Sequence, residues 1–304
     1  MQTTVQTTVQ TTTLGRTGEP LSAIGYGAMA LSIEGRPGRA EAERALHAAF
    51  DAGITFVDTA DVYCLDDAET GHNERLIADV LRVRDDRDRI HVATKGGMCR
   101  PNGAWTRDAS PAHLRRACEQ SLRALDVEQL FLYQLHAPDP HFPFERSVEA
   151  LAQLQREGKI RHIGLSNVAV AHIDLAMRIA DIVSIQNRLN PYYRESIEEG
   201  VVDTCTKRGL TFFAYRPVGG ARMTATLPRY PALAALAERR GVTPHVLSLA
   251  WVRAQGPTVI PLPGGRLVDH VRDSATAADL VLSRAEAAAI DETRWIASAR
   301  FCSL

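Results

Sequence analysis

The sequence predicts an α/β protein built as a single (β/α)8 barrel (TIM barrel), preceded by an N-terminal β-hairpin and followed by an extra C-terminal helix. Three observations carry this reading. Strand-like apolar runs alternate with helical patterns, eight of each, along most of the 304 residues; such alternation implies parallel strands joined by crossover helices. The strand-like runs are apolar nearly throughout, as expected when both faces of a sheet are covered. The rival architecture, an open doubly wound sheet, carries a GxGxxG fingerprint after its first strand, and that fingerprint is absent.

The elements follow in order. Residues 3–13 are a low-complexity repeat, TTVQTTVQTTT, so residues 1–10 are expected to be a flexible tail and 11–304 one domain. Residues 12–14 and 21–24 read as a hairpin around a turn at 15–18, where Gly15, Gly18 and Pro20 supply turn chemistry. The run 24–26 is the first barrel strand and leads to a helix over 39–52. Strand 55–57 then leads to helix 73–82, 90–93 to 111–125, 130–135 to 143–157, and 160–164 to 168–179. Further on, 182–185 leads to 197–208, 211–214 to 231–252, and 258–260 to 267–276. The helical segments repeat apolar or small residues every three or four positions, as Leu114, Ala117, Cys118, Ser121, Leu122 and Leu125 do. Ser110 before Pro111 is an N-cap followed by a first-turn proline, and Gly53, Gly158 and Gly209 close helices. A last helix is expected over 283–293, with a tail containing Trp295 and Phe301 that could cover the rim or pack on the barrel's side.

Composition narrows the function. A net charge of −1, with the basic run at 82–89 interleaved with acids, argues against a nucleic-acid or anionic-membrane partner. No apolar stretch approaches the roughly 18–20 residues of a membrane span, and the N-terminus lacks a signal-peptide pattern. The five cysteines, Cys64, Cys99, Cys118, Cys205 and Cys302, are scattered without a CxxC pair, which suits reduced thiols and a cytoplasmic location. Neither HExxH nor another ligand cluster occurs, so no metal site is expected.

Catalytic groups of such barrels sit where strands end. Here the strand ends read Asp58-Thr-Ala-Asp-Val-Tyr63, Ala93-Thr-Lys95-Gly, Leu135-His136, Gly164-Leu-Ser166-Asn167, Gln186-Asn187 and Tyr215-Arg216-Pro217. The eighth is followed by Pro-Gly264-Gly265-Arg266. Polar and ionisable groups thus collect at one rim. The long loop 96–110, with Met98 and Trp105, is a candidate wall of a substrate pocket, because long loops in compact domains tend to be functional. Tyr26, Met29, Cys64, Tyr192 and Tyr193 are further pocket candidates, and Pro138, Phe142 and Phe144 could shape the pocket or anchor the helix after them.

The stretches DTADVY, ATKGG, LYQLH, GKIRHIGLSN and QN, in that order, together with LGRTG and IGYGAM before them, resemble the motifs of the aldo-keto reductase family from about residue 14 to about residue 290. The resemblance implies a catalytic tetrad of Asp58, Tyr63, Lys95 and His136, and reduction of an aldehyde or ketone to an alcohol. Tyr63 would give the proton, Lys95 would lower the phenol's pKa, Asp58 would hold Lys95 charged, and His136 would polarise or orient the carbonyl. The hydride requires a redox cofactor, and the family implies a nicotinamide dinucleotide. Ser166, Asn167 and Gln186 would hold the carboxamide and Tyr215 would stack on the ring. Arg216, Pro217, Val218, Gly219 and Gly220 would follow the pyrophosphate. Gly27, Ala28 and Met29 would line the opposite side of the cleft. Gly264, Gly265 and Arg266 would take the adenosine phosphate end, Arg266 favouring NADPH over NADH.

Departures from the family pattern are Cys64, where glycine is frequent, His270 in place of Arg or Gln, and Ser274 in place of Asn. The resemblance extends to bacterial pyridoxal-reductase-like and antibiotic-tailoring members. It leaves open a non-catalytic nicotinamide-nucleotide-sensing regulatory subunit of the same fold. The residues also leave open an aldolase using Lys95 as a Schiff base. The partner expected is a small carbonyl compound; neither a monomer nor a homo-oligomer is singled out.

Overall fold

The computed structural model of the chain describes residues 9–293. The expectations for Trp295, Phe301 and Cys302 lie outside the described residues. The chain begins with a hairpin, β1 (Thr11–Thr13) against β2 (Pro20–Ser22), antiparallel with Thr12 opposite Leu21. Val9 is buried and the Gln10 carbonyl accepts a bond from the Ala23 N–H at 2.7 Å, so the last two residues assigned to the flexible tail are held against the body.

The barrel strands are β3 (Tyr26–Gly27), β4 (Phe56–Asp58) and β5 (His91–Gly96). A small antiparallel pair, β6 (Met98–Cys99) and β7 (Thr106–Arg107), interrupts them. The barrel resumes with β8 (Leu130–Leu135), β9 (Ile160–Ser166), β10 (Ile182–Arg188), β11 (Thr211–Tyr215) and β12 (Val259–Leu262). All neighbouring pairs run parallel in chain order. The seam between β3 and β12 is closed by Gly25 N–H to Pro261 O at 3.0 Å and Gly27 N–H to Pro263 O at 2.9 Å. At this seam a Cβ on Gly264 would lie 2.9 Å from the Gly27 carbonyl oxygen, so only glycine allows the two backbones this close.

The helices are α1 (Arg39–Asp51), α2 (His72–Arg82), α3 (Pro111–Leu125), α4 (Phe144–Arg156), α5 (Val170–Ala176), α6 (Glu195–Glu198) and α7 (Val201–Arg208). After β11 come α8 (Ala221–Thr224), α9 (Pro231–Arg240) and α10 (Pro244–Arg253); α11 (Val268–Thr276) and α12 (Arg284–Asp291) follow β12.

Three expected helices differ from their sequence reading. The 231–252 segment is two helices. Gly241 takes a left-handed φ of 64° that ends α9, and Thr243 accepts the Val246 N–H at 3.2 Å to start α10 with Pro244 in its first turn. The 197–208 segment is likewise split, by Gly200 at φ 75°. The 168–179 helix is shorter because its end tightens into i→i+3 bonds, Arg178 N–H to Leu175 O and Ile179 N–H to Ala176 O. The extra helix α12 is capped by Ser283 and pinned to the barrel's flank by Asp291, which accepts from the Trp251 indole at 3.0 Å and pairs with Arg194 at 2.9 Å.

The barrel interior is layered. At the floor, Leu14 and Leu21 of the hairpin pack with Phe56, Ala93, Leu132, Phe213 and Ile260, and the Phe56 and Phe213 rings stack at 4.5 Å. Two residues further along four of these strands come Asp58, Lys95, Gln134 and Tyr215, and Gln186 of β10 joins them by bonding Asp58. The two-residue period of a strand returns these to the inner face, so an apolar floor is topped by a polar layer at the C-terminal ends.

Candidate active site

The polar layer is one connected network. The Lys95 ammonium, fully buried, donates to Asp58 Oδ2 at 2.6 Å, to the Thr59 carbonyl at 2.8 Å and to the Tyr63 hydroxyl at 3.0 Å. Asp58 Oδ1 accepts from Gln186 Nε2 at 2.7 Å and Gln134 Nε2 at 3.2 Å, so both carboxylate oxygens are engaged. Four polar partners around a buried ion pair supply the compensation such a pair needs. Tyr63 lies in the loop after β4, held by its N–H to Ala60 O at 3.2 Å. Its ring meets that of His136 edge-on, with centroids 5.8 Å apart and planes at 81°. The His136 N–H on the backbone bonds Gly96 O at 2.9 Å, which ties the end of β8 to β5.

Burial sets the protonation states. Desolvation would lower the Lys95 pKa, but Asp58 and Tyr63 outweigh it and hold the amine above its ordinary value. His136 is driven well below the usual imidazole range by burial and by Lys95, and is a neutral ring near pH 7. For Tyr63 the sequence expectation is corrected: burial raises the phenol pKa, and the lowering effect of Lys95 only partly offsets this. The phenol therefore keeps its proton at neutral pH.

A second set of expected residues is continuous with the first. Ser166 Oγ donates to Gln186 O at 2.8 Å; Asn167 Nδ2 donates to His136 O at 2.8 Å and to Ser166 Oγ at 3.1 Å; and the Tyr215 hydroxyl donates to Asn167 Oδ1 at 2.8 Å. Asn167 (φ 57°) and Arg216 (φ 52°) both adopt the left-handed conformation where β9 and β11 end, turning the chain away at the rim. Pro217 is buried beneath the turn, and the Tyr192 hydroxyl donates to Val218 O. A Cβ on Gly219 would run into that hydroxyl, so Tyr192 supports the 218–219 turn.

Across the barrel mouth, Arg266 is exposed and its guanidinium bonds Ala30 O at 3.1 Å and Glu34 O at 3.3 Å. His270 is exposed and Ser274 half-buried on α11. The N-cap of that helix, Leu267, offers no side-chain acceptor, so its first N–H groups depend on another partner. Ala28 is buried, with its carbonyl bound by Asn73 Nδ2 at 3.0 Å.

The pocket candidates divide. Met29, Met98 and Trp105 pack around Ala60, Val62 and Tyr63. Tyr26 is 2% exposed and donates its hydroxyl to Gly265 O, tying the first strand to the glycine turn; Cys64 is fully buried, and burial pushes its thiol up to about 11. Neither side chain reaches open space. Tyr193 lies under the Arg188 guanidinium, 3.6 Å from it. Phe144 begins α4 and contacts the His172 ring edge-on, an anchoring role.

Sequence reasoning missed Gln134, Thr59 and Arg100, as well as the buried carboxyls Asp61 and Glu74. Gln134 could have been found, because it shares strand parity with His136. Desolvation raises both Asp61 and Glu74, Asp61 strongly, and Glu74 accepts the Thr94 hydroxyl at 2.6 Å.

A sequence model of the aldo/keto reductase family matches residues 23–294. Among solved structures, the glycerol dehydrogenase AKR11B4 from Gluconobacter oxydans is 30% identical, with a TM-score of 0.79 over 92% of this chain and 94% of its own. An aldo/keto reductase from Klebsiella pneumoniae, crystallised with NADP and acetate, is 30% identical, with a TM-score of 0.78 over 93% of this chain and 95% of its own. The thermostable aldo-keto reductase Tm1743, in complex with the inhibitor epalrestat, is 29% identical, with a TM-score of 0.79 over 93% of this chain and 98% of its own.

Proposed function

The chain belongs to the aldo/keto reductase family, and on that premise we propose that it reduces an aldehyde or ketone with NADPH, Tyr63 giving the proton. The observation that carries this is the Lys95 ammonium bridging Asp58 and the Tyr63 hydroxyl at 2.6 and 3.0 Å inside the barrel mouth.

The residues fit the dinucleotide. Ser166, Asn167 and Gln186 gather amide and hydroxyl groups beside the half-buried Tyr215 ring, a donor and acceptor set matched to a carboxamide. At the far end, a glycine turn, the exposed Arg266 and a helix N-terminus without a side-chain cap suit a phosphate. A guanidinium there favours the 2′-phosphate of NADPH over NADH. The Klebsiella pneumoniae relative carries NADP, in keeping with this reading. Residues 11–304 act as one domain in it.

When bound, the reduced nicotinamide supplies the hydride that the carbonyl carbon receives. Tyr63 transfers its hydroxyl proton to the carbonyl oxygen, and the Lys95 ammonium stabilises the phenolate left behind. Asp58 fixes the amine in place. His136, a neutral ring, donates one N–H to the same oxygen. A lysine kept charged in this way is a poor nucleophile, which disfavours the aldolase reading.

Tyr63→Phe removes the proton donor and keeps the ring. Turnover should fall by roughly 10²–10⁴-fold, while nucleotide fluorescence titration shows cofactor affinity retained. Unchanged turnover refutes the assignment.

A further inference from the structure

Arg100, between β6 and β7, is a buried cation that the proposed chemistry does not use. Its side chain is fully enclosed, and its guanidinium stacks 4.1 Å from the centre of the Trp105 ring. Trp105 in turn packs against the Tyr63 cluster. Among the described residues one of the three guanidinium nitrogens is engaged: Nη2 donates to Leu65 O at 2.8 Å and to Glu34 Oε1 at 2.5 Å. Nε and Nη1 are buried without an acceptor among the described residues. Leu65 is two residues beyond Tyr63, so the charge lies against the loop that presents the phenol.

A guanidinium enclosed with two idle N–H edges is costly, because each buried donor loses water without gaining a partner. Glu69, which accepts the Leu65 N–H, is already engaged by the Arg36 guanidinium at 2.7 and 3.0 Å. Glu34 is the movable part of the arrangement. Its side chain is 63% exposed, so it can leave the guanidinium at small cost, and a carboxylate evidently fits that edge.

The geometry points to a specificity subsite: Arg100 binds a carboxylate carried by the carbonyl substrate, and Glu34 occupies that position in its absence. A planar two-oxygen anion reaching Nη1 as well as Nη2 would form the paired bonds that Glu34 makes only singly. The inference rests on the reductase reading for the carbonyl end of the substrate, whereas the anion end can be tested without turnover.

Calorimetric titration with benzoate and with benzamide, its neutral counterpart, makes that test. The wild-type protein should bind benzoate about tenfold or more tighter, as expected for a charged hydrogen-bonded pair. Arg100→Met should abolish the preference. Glu34→Ala should tighten benzoate severalfold and decides the matter if the Arg100 variant does not fold. Equal or undetectable binding of the two compounds to wild type and Glu34→Ala overturns the subsite, as does a preference surviving in Arg100→Met. In turnover with NADPH, 4-carboxybenzaldehyde should exceed benzaldehyde in kcat/KM by a similar factor, and parity there also overturns the subsite. Failure to reduce either aldehyde, with the benzoate preference intact and lost in Arg100→Met, counts against the reductase reading and leaves the anion site standing.

Discussion

At the residue scale, function follows from which groups burial leaves charged. Lys95 keeps its charge because Asp58 and Tyr63 offset desolvation, whereas His136 loses its charge because burial and then the nearby Lys95 ammonium disfavour the imidazolium. The signs define a pH profile. A neutral His136, held well below the ordinary 6.5, predicts no titration step near that value. Tyr63, held above the ordinary 10.0, keeps its proton until strongly alkaline pH, so reduction is lost only as pH rises through that raised value. Carbonyl reduction should therefore be flat in kcat/KM from about pH 6 to 9. Alcohol oxidation needs the phenolate and should climb with pH across the same window. A step near 6.5 in reduction that disappears in His136→Asn would show the imidazole to be charged and break this account.

At the element scale, strand ends and helix breaks decide what sequence reading can reach. The expected strands end at 93, 164 and 185, at or within a residue of the last apolar position, yet the ladders continue to Gly96, Ser166 and Arg188. The added residues include Lys95, Ser166 and Gln186, whose polar groups are satisfied inside the barrel, so apolarity ceases to mark the strand where the site begins. A single glycine inside a helical pattern gives a similarly weak signal, so periodicity joins helices that Gly200 and Gly241, both left-handed, divide. The turn after β12 shows how an element carries specificity. Among the described residues Arg266 there bonds backbone carbonyls alone, Ala30 O and Glu34 O, partners that a phosphate would displace. Arg266→Ala should weaken NADPH by roughly tenfold or more, the usual range for a charge-assisted bond. NADH, without the 2′-phosphate, should change little. Equal losses for both nucleotides, read by fluorescence titration, remove Arg266 from that role.

At the scale of the whole molecule, the order and type of elements were legible because alternation and apolarity are global signals. That Asp58, Tyr63, Lys95 and His136, the residues proposed for catalysis, come together was legible because their motifs follow strand ends. Arg100 was not, since a lone loop arginine has no period, and its enclosure depends on Glu34 and Leu65, distant in sequence. Closure of the barrel was expected from the covered apolar strands, but the two backbone bonds at its seam, where glycines allow close approach, were not legible. That seam joins stability to the proposed function, since Gly264 both abuts the Gly27 carbonyl and begins the turn that leads to Arg266. Gly264→Ala would place a Cβ 2.9 Å from that oxygen, and backbone must shift to admit it. The cost should be about 1–3 kcal/mol, a drop of a few degrees or more in Tm, accompanied by weaker NADPH binding. Gly38→Ala is the control: Gly38 has an ordinary φ of −61° and a Cβ there would meet nothing nearer than Glu41 Oε2 at 4.0 Å. If calorimetry finds the two variants equally stable, close packing of backbones at the seam is not what holds the barrel shut.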